Sequence, residues 1–148
     1  MIEKLRKSDI PLAAKVYRKG LSMEIPKGDC KLSKSIDVLT NETECYVYKK
    51  ENKIYGLLSF YHKTKNKIAI DFICALKSRL GIGTNLMRML AKYCIKHNIK
   101  YIYSNVSSRD DRVIKFYEAC GFRKYSYYYA TKKFLLYRVK AKPQDILN

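Results

Sequence analysis

Long apolar runs are missing from this chain of 148 residues: none approaches the roughly 18 consecutive residues that a membrane-spanning helix needs. The opening Met1–Arg6 contains no apolar stretch of the kind that forms a secretory signal. We therefore expect a soluble, cytoplasmic protein that does not associate with membranes. Apolar residues make up 47% of the chain, which excludes a disordered protein and predicts one domain, 1–148, ending in a polar tail at 140–148.

The ligand spacings of metal-binding modules are missing as well. The chain has no CxxC pair, and only His62 and His97 could join its cysteines. Because a structural zinc site takes four closely spaced ligands, we expect no bound metal. The cysteines lie in apolar stretches, where a free thiol behaves as a small buried side chain, and their odd number favours a reducing compartment. The five are Cys30, Cys45, Cys74, Cys94 and Cys120.

Acidic residues are scarce: 13 Asp and Glu face 31 Lys and Arg, for a net charge of +18. A field of this sign attracts polyanions such as phosphorylated cofactors, RNA or an acidic protein surface. The lysines are nevertheless scattered over turns and helix faces, and a chain rich in Lys, Ile, Tyr and Asn without Trp is what an AT-rich genome encodes. The positive charge is therefore compatible with association with nucleic acid or ribosomes but is weak evidence for it.

Along the chain, segments whose apolar residues have the spacing of a strand alternate with segments that have the spacing of a helix. Aromatic and β-branched runs separated by short polar turns predict an antiparallel meander in the middle of the chain. Apolar positions at helical spacing predict helices before and after it. The sequence therefore predicts an α+β or α/β fold with a mixed sheet. The predicted strands are 2–6, 44–49, 54–62, 67–76, 101–106, 123–130 and 133–139, with two helices after the first, one after the fourth and one after the fifth.

A glycine turn between the fourth strand and the following helix gives the first indication of chemistry. The turn, Ser78–Thr84, reads SRLGIGT. The first turn of a helix leaves backbone N–H groups unpaired and carries partial positive charge, and glycine lets a phosphate approach them. The spacing matches neither the P-loop nor the three glycines of a dinucleotide fold. The turn is therefore a candidate anion site of another kind, and glycines that serve only the turn or the packing of the helix are the commoner alternative.

A second segment, Val113–Phe122, has the sequence VIKFYEACGF. With the glycine turn it resembles the GNAT superfamily of acyl-CoA N-acyltransferases, whose motifs are [RQ]xxGx[GA] and FYxxxGF. The resemblance covers essentially the whole chain. Ser78 stands where the family has Arg or Gln, with Arg79 beside it, and Asp110 stands where the family commonly has Asn. The resemblance implies a twisted, mostly antiparallel sheet of about six or seven strands flanked by about four helices.

The resemblance further implies an N-acetyltransferase that moves an acetyl group from acetyl-CoA, its cosubstrate, to a primary amine by direct attack in a ternary complex. It implies that the phosphates bind the backbone of the glycine turn, and that the pantetheine and the thioester carbonyl bind the end of the fourth strand. The expected cofactor-binding residues are Cys74, Ala75, Leu76, Arg79, Leu80, Gly81, Ile82, Gly83, Thr84, Asp110 and Lys115.

Such a reaction needs a base and an acid. A protonated amine with a pKa of about 10 cannot attack until a carboxylate, acting directly or through water, removes its proton. Asp71, inside an apolar strand, is the first candidate, and Glu44 on the neighbouring strand is the second. Tyr117 matches the family position for the acid that protonates the leaving thiolate. The structural alternatives are a solvent-facing Asp71 and a core Tyr117.

The identity of the acceptor stays open. It is a protein N-terminus, a lysine side chain, a polyamine or another small amine, and the positive charge disfavours cationic acceptors. The departures at Ser78 and Asp110 favour an alternative function, a non-catalytic acyl-CoA sensor or a nucleic-acid-binding relative with the same fold. Family members often pair through their C-terminal strands, which leaves a homodimer open as well.

Overall fold

The computed structural model of the protein describes residues 1–24, 36–76 and 81–148. In these ranges the elements follow the predicted order, with a 3₁₀ turn at Lys7–Asp9 and a π-helical turn at Val38–Glu42. The predicted second helix lies mostly outside the described residues. The strands are β1 (Ile2–Lys4), β2 (Glu44–Lys50), β3 (Lys53–Thr64), β4 (Lys67–Ala75), β5 (Tyr101–Ser107), β6 (Arg123–Thr131) and β7 (Phe134–Ala141), and the helices are α1 (Ile10–Glu24), α2 (Ile82–Lys96), α3 (Asp111–Ala119) and α4 (Pro143–Leu147).

The strands form one sheet in the order β1-β2-β3-β4-β5-β7-β6. β4 and β5 are parallel, and α2 forms the crossover that a parallel pair requires. The pairs β1–β2, β2–β3, β5–β7 and β6–β7 are antiparallel. This mixed, mostly antiparallel sheet with flanking helices confirms the predicted fold class. No helix within the described ranges is long and apolar enough to cross a membrane.

The prediction that residues 140–148 form a polar tail is wrong, because most of these residues belong to a strand and a helix. β7 continues to Ala141, and Pro143–Leu147 forms the short helix α4. Proline in the first turn suits a helix because its fixed φ is already helical and its missing N–H has no partner to lose. Pro143 and Ile146 are buried, so packing rather than local propensity stabilises a helix of this length.

The chain divides into two compact units, which share β3, β4 and α2. The first unit comprises 1–61 and 71–86. Its core lies where Ala13, Ala14 and Tyr17 of α1 pack with Val47 and Leu57 of the sheet. Near it the Lys49 ammonium lies 3.0 and 2.9 Å from the two carboxylate oxygens of the buried Asp9, which ties β2 to the turn before α1.

The second unit comprises 62–70 and 87–148. Along its strand β5, Ile102, Ser104 and Val106 are buried, whereas the alternate residues Tyr101 and Tyr103 are only half-buried. This period of two is that of a strand with one face against a core. The buried face carries α3, because the Ser104 hydroxyl donates to the Tyr117 hydroxyl across 2.9 Å.

Gly121 ends α3 with a φ of +99°, and a Cβ there would lie 3.0 Å from the Asp145 carbonyl oxygen of α4. Gly121→Ala therefore combines backbone strain with a clash, and we expect it to lower the free energy of unfolding by about 2–4 kcal/mol in thermal or urea denaturation. Gly81→Ala is the matched control: its φ is +68°, but within the described ranges the added Cβ meets only the side-chain nitrogen Nδ2 of Asn85, at 4.0 Å. Equal losses in the two variants would contradict the packing of α4 on Gly121.

Candidate active site

The start of α2 presents a row of backbone donors. The Asn85 N–H donates to the Gly81 carbonyl across 2.9 Å, which is the first hydrogen bond of the helical pattern. The amides of Ile82, Gly83 and Thr84 precede that bond and have no acceptor within the helix. Since the helix dipole adds partial positive charge at this end, the arrangement suits an anion such as a phosphate.

Gly81 keeps the approach to these amides open. Its φ of +68° lies in the left-handed region, and among the described residues a Cβ built on it would meet one atom, the side-chain nitrogen Nδ2 of Asn85, at 4.0 Å. The Thr84 side chain is exposed, whereas that of Ile82 is buried and anchors the first turn. The predicted roles of Arg79 and Leu80, and the departure at Ser78, lie outside the described residues.

Gly56 of β3 packs against Ile82, the first residue of α2. A Cβ on Gly56 would lie 2.6 Å from Cγ2 of Ile82 and 2.9 Å from the Cys74 carbonyl oxygen, both closer than a real Cβ comes. Only glycine therefore allows the first turn of α2 and the end of β4 to lie this close to β3.

The end of β4 supplies fewer amides than the sequence predicts. The Leu76 N–H donates to the Tyr55 carbonyl across 2.7 Å, so this amide is already engaged, and the expected contact of Leu76 with a cofactor stays a prediction. Successive amides of a strand point to opposite edges, which directs the Ala75 N–H away from β3. Cys74 is half-buried against the core of the first unit. Ala75 remains the candidate donor of the three.

Asp71 is held by two hydroxyl groups. Its Oδ2 accepts hydrogen bonds from the Tyr17 hydroxyl of α1 and the Ser59 hydroxyl of β3, each 2.8 Å long. Asp71 is exposed, in agreement with the structural alternative of a solvent-facing residue. The two donors nevertheless fix its carboxylate in one orientation. In the described part of the chain Oδ1 accepts no hydrogen bond.

Glu44 lies on the other face of the sheet. Its neighbour Cys45 pairs with Ser59, which binds Asp71, whereas Glu44 itself pairs with Phe60. Tyr46 shares the Glu44 face, and burial followed by the charge of Glu44 raises the pKa of the Tyr46 phenol. The structure therefore does not bring the two predicted carboxylates together, and they are alternatives rather than a pair.

Tyr117 is 4% exposed, with its ring packed edge-on against Phe122 at a centroid distance of 4.9 Å. Its hydroxyl oxygen accepts the hydrogen bond from Ser104. A phenol that accepts such a bond keeps its own proton for donation, and the bond stabilises the phenolate that donation leaves. Core packing and proton donation are thus compatible at this residue.

Asp110 has a structural role that the sequence comparison did not reveal. It is the N-cap of α3, and its carboxylate accepts a hydrogen bond from the Val113 N–H at 3.2 Å. Asp and Asn cap helices about equally well, so the departure from the family pattern leaves the start of α3 intact. Lys115, on the same helix, is exposed. The expected contacts of both residues with a cofactor stay predictions.

Three buried thiols have raised pKa values, which disfavours the nucleophilic thiolate. Burial raises the pKa of Cys94 to about 12 and that of Cys120 to about 11. Burial, then the nearby Cys74 and Asp71, raises the pKa of Cys45 to about 12. These three cysteines are buried, as predicted, whereas Cys30 lies outside the described residues. No group of three or more His, Cys, Asp or Glu residues that could hold a metal occurs in the described ranges.

Sequence reasoning missed two site residues, Tyr17 and Ser59. Tyr17 falls on the apolar stripe of α1 and packs edge-on against Phe72 at 5.3 Å, so its hydroxyl was hidden within a core pattern. Ser59 is fully buried in β3 between apolar neighbours. A lone hydroxyl in a buried strand needs a partner, and this was the available signal.

Comparison with known proteins agrees, over most of the chain, with the family resemblance of the sequence motifs. The sequence model of the Acetyltransferase (GNAT) family matches residues 15–122. A GNAT-family acetyltransferase from Desulfovibrio desulfuricans superposes with a TM-score of 0.81 at 11% identity, covering 97% of this chain and 98% of the other. The ribosomal-protein-S18-alanine N-acetyltransferase of Escherichia coli gives 0.78 at 15% identity, with 96% and 92% covered.

An aminoglycoside 6'-N-acetyltransferase in complex with coenzyme A also superposes with a TM-score of 0.78, at 14% identity and 97% coverage of each chain. At these identities the structural similarity defines the fold, and the family match defines the ancestry. The glycine turn, the start of α2 and the Tyr117 segment all lie within the matched residues. The chain belongs to the GNAT family of acetyltransferases.

Proposed function

We propose that the protein transfers an acetyl group from acetyl-CoA to a primary amine by direct attack. The observation that carries this function is the set of amides at the start of α2 beside the open Gly81, in a chain of the acetyltransferase family. The phosphates of acetyl-CoA accept from the N–H groups of Ile82, Gly83 and Thr84, with Lys115 as a further cation. The Ala75 N–H polarises the thioester carbonyl.

Two side chains transfer protons in the proposed reaction, Asp71 as the base and Tyr117 as the acid. Oδ1 of Asp71 takes the proton of the acceptor ammonium, directly or through water, while Tyr17 and Ser59 hold Oδ2. The amine nitrogen then forms a bond to the thioester carbon as the carbon–sulfur bond breaks, and the second proton of that nitrogen passes to solvent, as does the proton taken up by Asp71. Tyr117 gives its proton to the departing thiolate, and solvent returns a proton to the phenolate. The raised pKa values of the buried Cys45 and Cys94 disfavour an acyl-cysteine intermediate at these two residues.

The acceptor is an amine on a protein or a small molecule. A net charge of +18 repels polycations at long range, which favours a neutral or anionic acceptor or the N-terminus of an RNA-associated protein. Calorimetric titration with acetyl-CoA, run beside thiol release over a panel of peptides and small amines, tests the proposal. Binding without turnover of any amine would instead support the non-catalytic sensor, which the departure at Ser78 favours.

Substitutions at Gly81 test where the phosphates bind. Gly81→Leu places a bulky side chain in the open space next to the α2 amides, and we expect the Kd for acetyl-CoA to rise by about tenfold or more. Gly81→Ala carries similar backbone strain with little bulk and is expected to change the Kd by less than about threefold. Unchanged affinity in Gly81→Leu, measured by calorimetry, would mean that the phosphates bind elsewhere.

A further inference from the structure

One sheet face of the second unit is built from tyrosines and cations. The tyrosine–lysine face comprises Tyr101, Tyr103, Tyr125, Lys63, Lys67 and Lys140. It is the side of β5 opposite α3, because Tyr103 alternates with Ser104, which binds Tyr117. The register places Lys140 of β7 directly beside Tyr103.

The rings form a continuous aromatic row. The centroids of Tyr101 and Tyr103 are 6.2 Å apart, and those of Tyr103 and Tyr125 are 5.9 Å apart. Tyr125 is 45% exposed, and Tyr101 and Tyr103 are half-buried. Burial, then the neighbouring Tyr103, raises the pKa of the Tyr125 phenol, which favours its neutral form.

Cations lie over these rings. The ammonium of Lys63 lies 5.1 Å from the centroid of Tyr103, and that of Lys140 lies 5.0 Å from the centroids of both Tyr101 and Tyr125. The pattern continues at Arg138, whose guanidinium lies 4.3 Å from the centroid of Tyr128. These contacts hold long cationic side chains next to the aromatic row.

Acidic residues are absent from the elements that form this face. β5, β6, β7 and the segment 62–70 contain no Asp or Glu. The acidic residues of the unit are Asp110, Asp111, Glu118 and Asp145, all in α3, its cap or α4. The positive charge of the face is therefore not neutralised locally, and the face is complementary to a polyanion.

We propose that the tyrosine–lysine face binds a single-stranded nucleic acid, with bases stacked on the tyrosines and phosphates held by the lysines. A polyanion without rings uses only the lysines, whereas unpaired bases use both parts of the surface. A duplex offers phosphates but keeps its bases stacked inside. The proposal is independent of acetyl transfer, since none of these residues belongs to the candidate active site.

The test measures fluorescence anisotropy of a labelled oligouridylate of about twelve nucleotides, with the matching DNA oligothymidylate as a second probe. Titrations at about 50 to 200 mM NaCl give the dependence of log Kd on log salt concentration. Lys63→Ala, Lys67→Ala and Lys140→Ala together remove three phosphate contacts. We expect the slope to fall by about 2 and the affinity to fall by about tenfold or more.

The matched control removes three exposed lysines elsewhere, Lys50, Lys53 and Lys92, each replaced by alanine. This control triple lowers the net charge by the same amount as the face triple, and we expect it to retain most of the slope of log Kd against log salt concentration. Tyr103→Leu with Tyr125→Leu is expected to weaken binding by about tenfold while leaving the slope unchanged, because stacking is lost and the cations remain. Circular dichroism and acetyl-CoA affinity verify that each variant is folded.

Three results would overturn the proposal: no binding of either oligonucleotide by the wild-type protein, equal losses in the face and control triples, or no loss in the tyrosine variant. Polyglutamate of equal charge serves as the competitor. If it displaced the oligonucleotide as effectively as unlabelled oligouridylate, the face would be a general anion surface, and base recognition would be wrong. The tighter of the two labelled probes identifies the sugar that the face prefers.

Discussion

Asp71→Asn is expected to lower kcat/KM at neutral pH by about 10²- to 10³-fold. The amide still accepts the hydrogen bonds of Tyr17 and Ser59 at one atom, so the local structure is retained. What disappears is the group that takes the proton of the ammonium. Steady-state thiol release with a fixed amine measures the loss, and the Kd for acetyl-CoA is expected to stay near its wild-type value.

The pH profile separates loss of a base from structural damage. An amine with a pKa of about 10 becomes neutral by itself as the pH rises, so a missing base matters less. The gap between wild type and Asp71→Asn is therefore expected to narrow from pH 7 towards pH 9.5. A gap of constant size would indicate a role in packing or substrate binding. If Glu44→Gln rather than Asp71→Asn gave the pH-dependent loss, the base would be Glu44.

Tyr117→Phe is expected to lower kcat by about 10²-fold with little change in acetyl-CoA affinity. The ring keeps its packing against Phe122, and only the hydroxyl group that accepts from Ser104 is removed. Rates measured with acyl donors of increasingly acidic thiols check the assignment, because a better leaving group needs less protonation. The variant is expected to regain most of its rate with such donors.

Ser104→Ala distinguishes proton donation by Tyr117 from a purely structural role. Without the Ser104 bond the phenolate is less stable, and we expect kcat to fall by about three- to tenfold. The pH dependence of kcat is also expected to shift, which loss of packing alone would not cause. Wild-type turnover in Tyr117→Phe would mean that the residue serves only the core.

The core elements could be predicted from the sequence because their side chains alternate with a clear period. β2, β3 and β4 begin and end within two residues of the predicted strands, and α2 has the expected buried stripe. α4 was not predictable, since five residues are too few to show a helical period and its stability comes from burial. The N-cap role of Asp110 was readable in principle, as an acidic residue directly before a helical pattern.

The candidate site was only partly predictable, because its geometry depends on contacts between distant residues. Asp71 could be chosen as an acidic residue inside an apolar strand, but its partner Tyr17 lies 54 residues away in sequence and Ser59 lies 12 away. The engagement of the Leu76 amide by Tyr55 depends on strand register, which a local pattern does not specify.

Gly56 makes the start of α2 and the end of β4 a single rigid frame. Because the Ile82 side chain and the Cys74 carbonyl both lie against this one residue, the span from the α2 amides to the Ala75 N–H is set by close packing on Gly56. In the proposed acetyl-CoA complex, this frame sets the length of pantetheine arm that fits between the bound phosphates and the thioester. Analogues whose arm is one methylene longer or shorter are expected to bind with little loss yet react slowly.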